Sequence, residues 1–66
     1  MDTLYFIVNR EVPNLETMEP LFPVGKVLTA GDIEYYHKEY GIDHVPCEVA
    51  IGISAAKTLL ARVLAQ

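Results

Sequence analysis

A chain of 66 residues forms one domain at most, and a domain of that size buries only about 60% of the surface its unfolded chain exposes, so it is marginal without reinforcement. Apolar residues make up 52% of it, its single cysteine rules out an internal disulfide and metal ligands are sparse, which leaves self-association as the stabiliser. Nine acids against five bases give a formal charge of −4, which repels phosphate backbones and offers anionic membranes nothing, so no nucleic-acid partner and no membrane partner is expected.

The five bases, Arg10, Lys26, Lys38, Lys57 and Arg62, are dispersed and form no patch. Nothing basic precedes the first apolar run, so the start does not read as a signal peptide. With one unpaired cysteine, the expected location is cytoplasmic.

Residues 3–8 read as a strand, because aromatic and β-branched side chains dominate them. Both alternating sets are apolar: Leu4, Phe6 and Val8 on one face, Tyr5 and Ile7 on the other. Such a strand needs cover on both sides. One face is expected to meet the helices and the other, with Tyr5 and Ile7, a second subunit; the plainer alternative leaves Tyr5 at the rim of the sheet.

Residues 9–25 are expected to be irregular, since Pro13, Pro20 and Pro23 interrupt any regular element. One helical turn fits Asn14 to Glu19. Leu15, Met18, Leu21 and Phe22 are too apolar for a free loop and must cover the core or meet a partner.

A second short strand is expected over 26–29. Thr29 followed three positions later by Asp32 forms a capping box for a helix over 30–40, and Gly41 supplies a left-handed stop with Ile42 packing back. Ile33, Tyr36, His37 and Tyr40 share the face assigned to the core. Glu34 and Lys38 pair at i,i+4. Tyr35 points elsewhere and suits an interface.

The remaining residues are expected to form one helix over 44–65. At 100° per residue, Val49, Gly52, Ile53, Ala56, Leu59, Leu60, Val63 and Leu64 gather in one apolar arc, with Glu48, Ser54, Lys57, Thr58 and Arg62 outside it and Ile51 as the misfit. Asp43 would cap it and Pro46 would fall in its first turn. The alternative is a strand over residues 47–53 with a helix from Ser54. In the single helix, Gly52 implies close approach of another backbone, from the first helix or from a second subunit, or else is a small residue tolerated in a tight core.

Chemistry is thinly represented. His37, His44, Cys47 and Glu48 are the one cluster of metal-ligand character, but tiny zinc domains usually supply at least two cysteines. Cys47 near a helix start would have a lowered thiol pKa, yet no group orients His44 as its base. Val24-Gly25-Lys26 is only a fragment of a phosphate loop. No enzyme activity, no metal and no cofactor is expected.

The reading is therefore a small α+β domain of ββαα outline that acts as a protein-interaction or regulatory module and as a homodimer or higher oligomer. The residues expected at its interface are Tyr5, Ile7, Tyr35, Val49, Gly52, Ile53, Ala56, Leu60 and Leu64. Its partner is itself, or else a larger basic protein whose charge complements its own. The alternative is a helix-turn-helix-like DNA-binding regulator, in which Gly41 makes the turn and Ser54, Lys57, Thr58 and Arg62 face the groove, against the penalty of net acidity.

Overall fold

The computed structural model describes residues 3–14, 18, 20–42 and 44–66. In chain order the elements are β1 (Leu4–Val8), β2 (Val12–Pro13), β3 (Pro20–Phe22), β4 (Val27–Leu28), α1 (Ala30–Tyr40), β5 (Cys47–Ile51) and α2 (Ile53–Leu64). The domain is α+β, but its outline is richer than ββαα.

The apolar strand β1 lies at the centre of an antiparallel three-stranded sheet of order β4-β1-β5. Phe6 stands opposite Leu28, and the β5 register runs unbroken from Leu4 opposite Ile51 to Val8 opposite Cys47. Directly opposed residues share a face of the sheet, and successive residues alternate. Leu4, Phe6, Val8, Leu28, Cys47, Val49 and Ile51 therefore lie on one face. Tyr5, Ile7, Val27, Glu48 and Ala50 lie on the other.

Each face has its own cover within the chain. Ala56, Leu59 and Val63 of α2 pack on Ile7 and Ala50, with Tyr5 and Leu60 at the rim. On the opposite face Val8 and Leu28 join Phe22 and Val45, and Ile33 and Tyr36 of α1, Val12 and Leu21 pack around them. The expectation that Tyr5 and Ile7 would face a second subunit is thus corrected: α2 covers them, and Ile7 is fully buried.

The single helix expected over 44–65 does not exist. Its first part is β5, and Gly52 separates that strand from α2. Gly52 has φ 86° and ψ 159°, a conformation essentially closed to residues with a Cβ. The glycine is explained by this junction and not by a close helix-helix approach. Pro46 stands just before the strand, where its carbonyl accepts a hydrogen bond from the Asn9 amide. The expected capping role of Asp43 lies outside the described residues. Because β5 intervenes, α1 and α2 are not joined by a short turn, and the helix-turn-helix outline is absent.

Two short strands form where an irregular segment is expected over 9–25. Strands β2 and β3 pair antiparallel, with Val12 opposite Phe22 and a register shift before Pro13 opposite Pro20. Prolines are tolerated at the edges and irregularities of such a ladder. Phe22 is fully buried, Leu21 half-buried and Met18 exposed. Leu15 and most of the expected turn from Asn14 to Glu19 lie outside the described residues.

Helix α1 has the expected ends. The Thr29 hydroxyl accepts from the Asp32 amide at 3.3 Å, and the Asp32 carboxylate accepts from the Thr29 amide at 3.0 Å. Gly41, at φ 67°, donates to the His37 carbonyl and stops the helix in the left-handed conformation. Thr29→Ala should therefore cost about 1 kcal/mol, measured by urea unfolding, since it removes one half of a reciprocal cap. No described residue of α1 is fully buried. Ile33 and Tyr36 touch the core, whereas His37 and Tyr40, expected on the same face, are exposed. The helix meets the core along one narrow ridge.

The outcome is a flat body. Its Cα extents are 35 × 27 × 13 Å, and its radius of gyration is 12.1 Å, against about 11 Å for a typical chain of this length. The accessible surface is 4884 Å², whereas a globular monomer of 7.4 kDa exposes about 4,200 Å².

Candidate interaction surface

The sheet has one long open edge. Strand β5 pairs with β1 alone, and among the described residues no strand lies on its other side. The hydrogen bonds from the Gly52 amide to the Thr3 carbonyl and from the Asn9 amide to the Pro46 carbonyl set the phase of the ladder. In an antiparallel pair the bonded positions alternate. Glu48 and Ala50 therefore turn their amides and carbonyls inward to β1. Those of Cys47, Val49 and Ile51 point outward, away from the sheet.

The side chains of these same three residues lie on the face that α1 covers only in part. Cover is complete over Val8 and Leu28 and fails toward the other end. Leu4 is 43% exposed, Val49 54% and Ile51 63%. Ile53, the first residue of α2, continues this run of exposed aliphatic side chains along the chain. An exposed apolar strip beside unpaired backbone groups is a recognised route to strand-strand association.

The nine residues expected at an interface are divided by the structure. Val49, Ile53, Leu64 and Tyr35 are exposed, and Tyr5, Gly52 and Leu60 are half-buried. Ile7 and Ala56 are buried beneath α2 and β1 of their own chain, which corrects their assignment to a surface. Leu60 and Leu64 lie against the turn at Gly25: a Cβ there would fall 2.5 Å from Leu64 Cδ2. Only Val49 of the nine belongs to the open edge. Leu4 and Ile51, missed at first, complete the strip; Ile51 was already visible as the misfit of the helical wheel.

Tyr35 belongs to a different feature. Its ring stands 5.3 Å from that of Tyr36 and 6.3 Å from that of Tyr40, and Tyr36 in turn meets Phe22 edge-on at 4.7 Å. This chain of rings links the core to the surface of α1. The neighbouring Tyr40 phenol, together with desolvation and Glu39, raises the Tyr35 pKa above its ordinary value.

The groups considered for chemistry are not assembled. Cys47 starts a strand and not a helix, so no helix N-terminus activates it, and burial pushes its thiol pKa up. His37 Nδ1 lies 3.2 Å from the Ile42 carbonyl on the exposed side of α1, and His44 is exposed. Glu48 accepts from the Asn9 side-chain amide at 3.5 Å. Among the described residues no three His, Cys, Asp or Glu side chains are grouped to hold a metal. No helix there is long and apolar enough to cross a membrane.

Comparison with protein-family models, with curated proteins and with solved structures returns no match.

Proposed function

We propose that this chain is a small acidic protein-protein interaction module that works as a homo-oligomer. The observation that carries this reading is the exposed strip of Leu4, Val49 and Ile51 beside the open edge of β5. The apolar side of α2 adds nothing to it, because Ala56, Leu59 and Val63 are satisfied by their own sheet. The flat shape is a second support, since it exposes about 700 Å² more surface than a globular monomer of this mass.

A regulatory role would follow if the acidic surface of the assembly docks on a larger basic protein, since charge complementarity steers such encounters. The reading places the protein among binding modules and not among enzymes.

Light scattering on a size-exclusion column tests it. The expected mass is at least twice 7.4 kDa in the micromolar range and above. A mass of 7.4 kDa at every concentration up to the solubility limit refutes self-association.

A further inference from the structure

We infer that a second copy of this chain pairs antiparallel with β5 at its open edge, in the register that centres the two-fold axis on Val49, so that the two three-stranded sheets join into one of six strands. This rests on the homo-oligomer reading and specifies how it is achieved.

Three observations select this mode. First, the edge is lightly guarded. Natural edge strands carry charged side chains, lysine above all, a proline or a bulge, or are kept very short; the one charge here is Glu48, whose carboxylate accepts from the Asn9 side-chain amide. The segment Cys47 to Ile51 contains no lysine and no proline, its register with β1 is unbroken, and it is five residues long. The opposite edge, β4, has two residues and follows Lys26.

Second, the edge is self-complementary. The outward amides and carbonyls belong to Cys47, Val49 and Ile51. With the axis at Val49, Val49 bonds to the partner's Val49, Cys47 to the partner's Ile51, and Ile51 to the partner's Cys47. Each residue contacts the residue that reciprocates the contact, as a two-fold interface requires. Every outward group of the strand is then satisfied.

Third, charge separates this register from its neighbour. Centred on Val49, Glu48 stands opposite the partner's Ala50. A slip that centres the axis on Glu48 sets Glu48 against the partner's Glu48, and like charges directly opposite are destabilising. The chosen register also aligns the exposed strips. Val49 and Ile51, with Leu4 on the adjacent strand, continue into the same residues of the second copy, and α2 of both copies lies on the other side of the joined sheet.

Disulfide trapping reads the register. In a hydrogen-bonded antiparallel pair the Cα atoms lie about 5.5 Å apart, within the ~4.4–6.8 Å of a disulfide. The double variant Cys47→Ser, Val49→Cys should link two chains rapidly under diamide, which takes up the two thiol hydrogens. The native Cys47 should not link to itself, because four residues of offset at ~3.4 Å each separate the two thiols. Cys47→Ser with Thr58→Cys, on the exposed side of α2, supplies the rate for random collision.

Val49→Pro removes an outward amide and leaves the bonds to β1 intact, and edge strands tolerate proline. It should remain folded by circular dichroism and lose the dimer. If it fails to fold, the trapping result decides alone. A dimer by light scattering in which Val49→Cys links no faster than Thr58→Cys overturns the edge pairing and leaves self-association standing. A wild-type monomer throughout overturns both, and would turn attention to a foreign extended peptide on the same edge.

Discussion

Phe22→Ala should remove a large part of this domain's stability. Phe22 is fully buried, and its side chain is shared by three elements. It belongs to β3, packs with Val8 and Leu28 of the sheet, and receives the edge of the Tyr36 ring from α1 at 4.7 Å. Truncating a buried phenylalanine costs about 3–5 kcal/mol, through lost transfer energy and the cavity left behind. A domain with about 0.05–0.15 kcal/mol of stability per residue has a total of roughly 3–10 kcal/mol at this length. The loss is therefore of the order of the whole. Urea titration followed by circular dichroism measures it. Met18→Ala, at a side chain 87% exposed, should change the midpoint by no more than surface substitutions usually do. A loss below about 1 kcal/mol for Phe22→Ala would mean that the paired strands β2 and β3 are not part of the cooperative unit.

The role of Phe22 was half legible in the sequence. Leu21 and Phe22 are too apolar for a loop, which is a statement about transfer energy and holds regardless of backbone geometry. That the segment would pair with Val12 was hidden, since two prolines occupy the paired residues and pairing across so irregular a register leaves no period to detect. Helix α1 was legible to the residue at both ends, because Thr29, Asp32 and Gly41 act locally through caps. Its buried face was not. His37 and Tyr40 have the right spacing, but the narrow ridge of contact is a tertiary fact.

Strand β5 stood only as the alternative to a single helix, for a reason that is itself physical. Over five residues a period of 2 and a period of 3.6 are poorly separated, and Val49, Gly52, Ile53 and Ala56 keep a helical phase across the real break. Yet the demand for this strand was present in β1. A strand apolar on both faces belongs in the middle of a sheet, and a middle strand needs two neighbours. Val27 and Leu28 supply one. The remaining stretch with β-branched residues at alternate positions is Val49, Ile51 and Ile53, which also contains the residue that did not fit the wheel. The candidate surface follows from that correction. Once residues 47–51 are extended, Val49 and Ile51 turn to the same side as Leu4, and an edge appears that a helix would not have had.

Gly52→Ala decides between these two descriptions by the sign of its effect. In a continuous helix over 44–65, replacing an interior glycine with alanine would stabilise the protein by up to about 1 kcal/mol. In the structure Gly52 has φ 86° and ψ 159°, where a Cβ is strained by an amount on the order of 1–3 kcal/mol. The substitution should therefore destabilise. For a domain of this size each kcal/mol moves the Tm by about 4–8 °C, so the two descriptions differ by a readily measured shift of opposite direction. Gly31→Ala provides the internal reference. Gly31 lies within α1, and a Cβ there would meet only the Thr29 hydroxyl oxygen, at 3.8 Å. That substitution should raise the Tm, since it lowers the entropy of the unfolded chain without strain in the folded one. If both alanines raise it, the residues after Pro46 are helical, the outward edge at Val49 does not exist, and pairing through it is excluded. If Gly31→Ala raises it and Gly52→Ala lowers it, the strand that carries the proposed contact is in place.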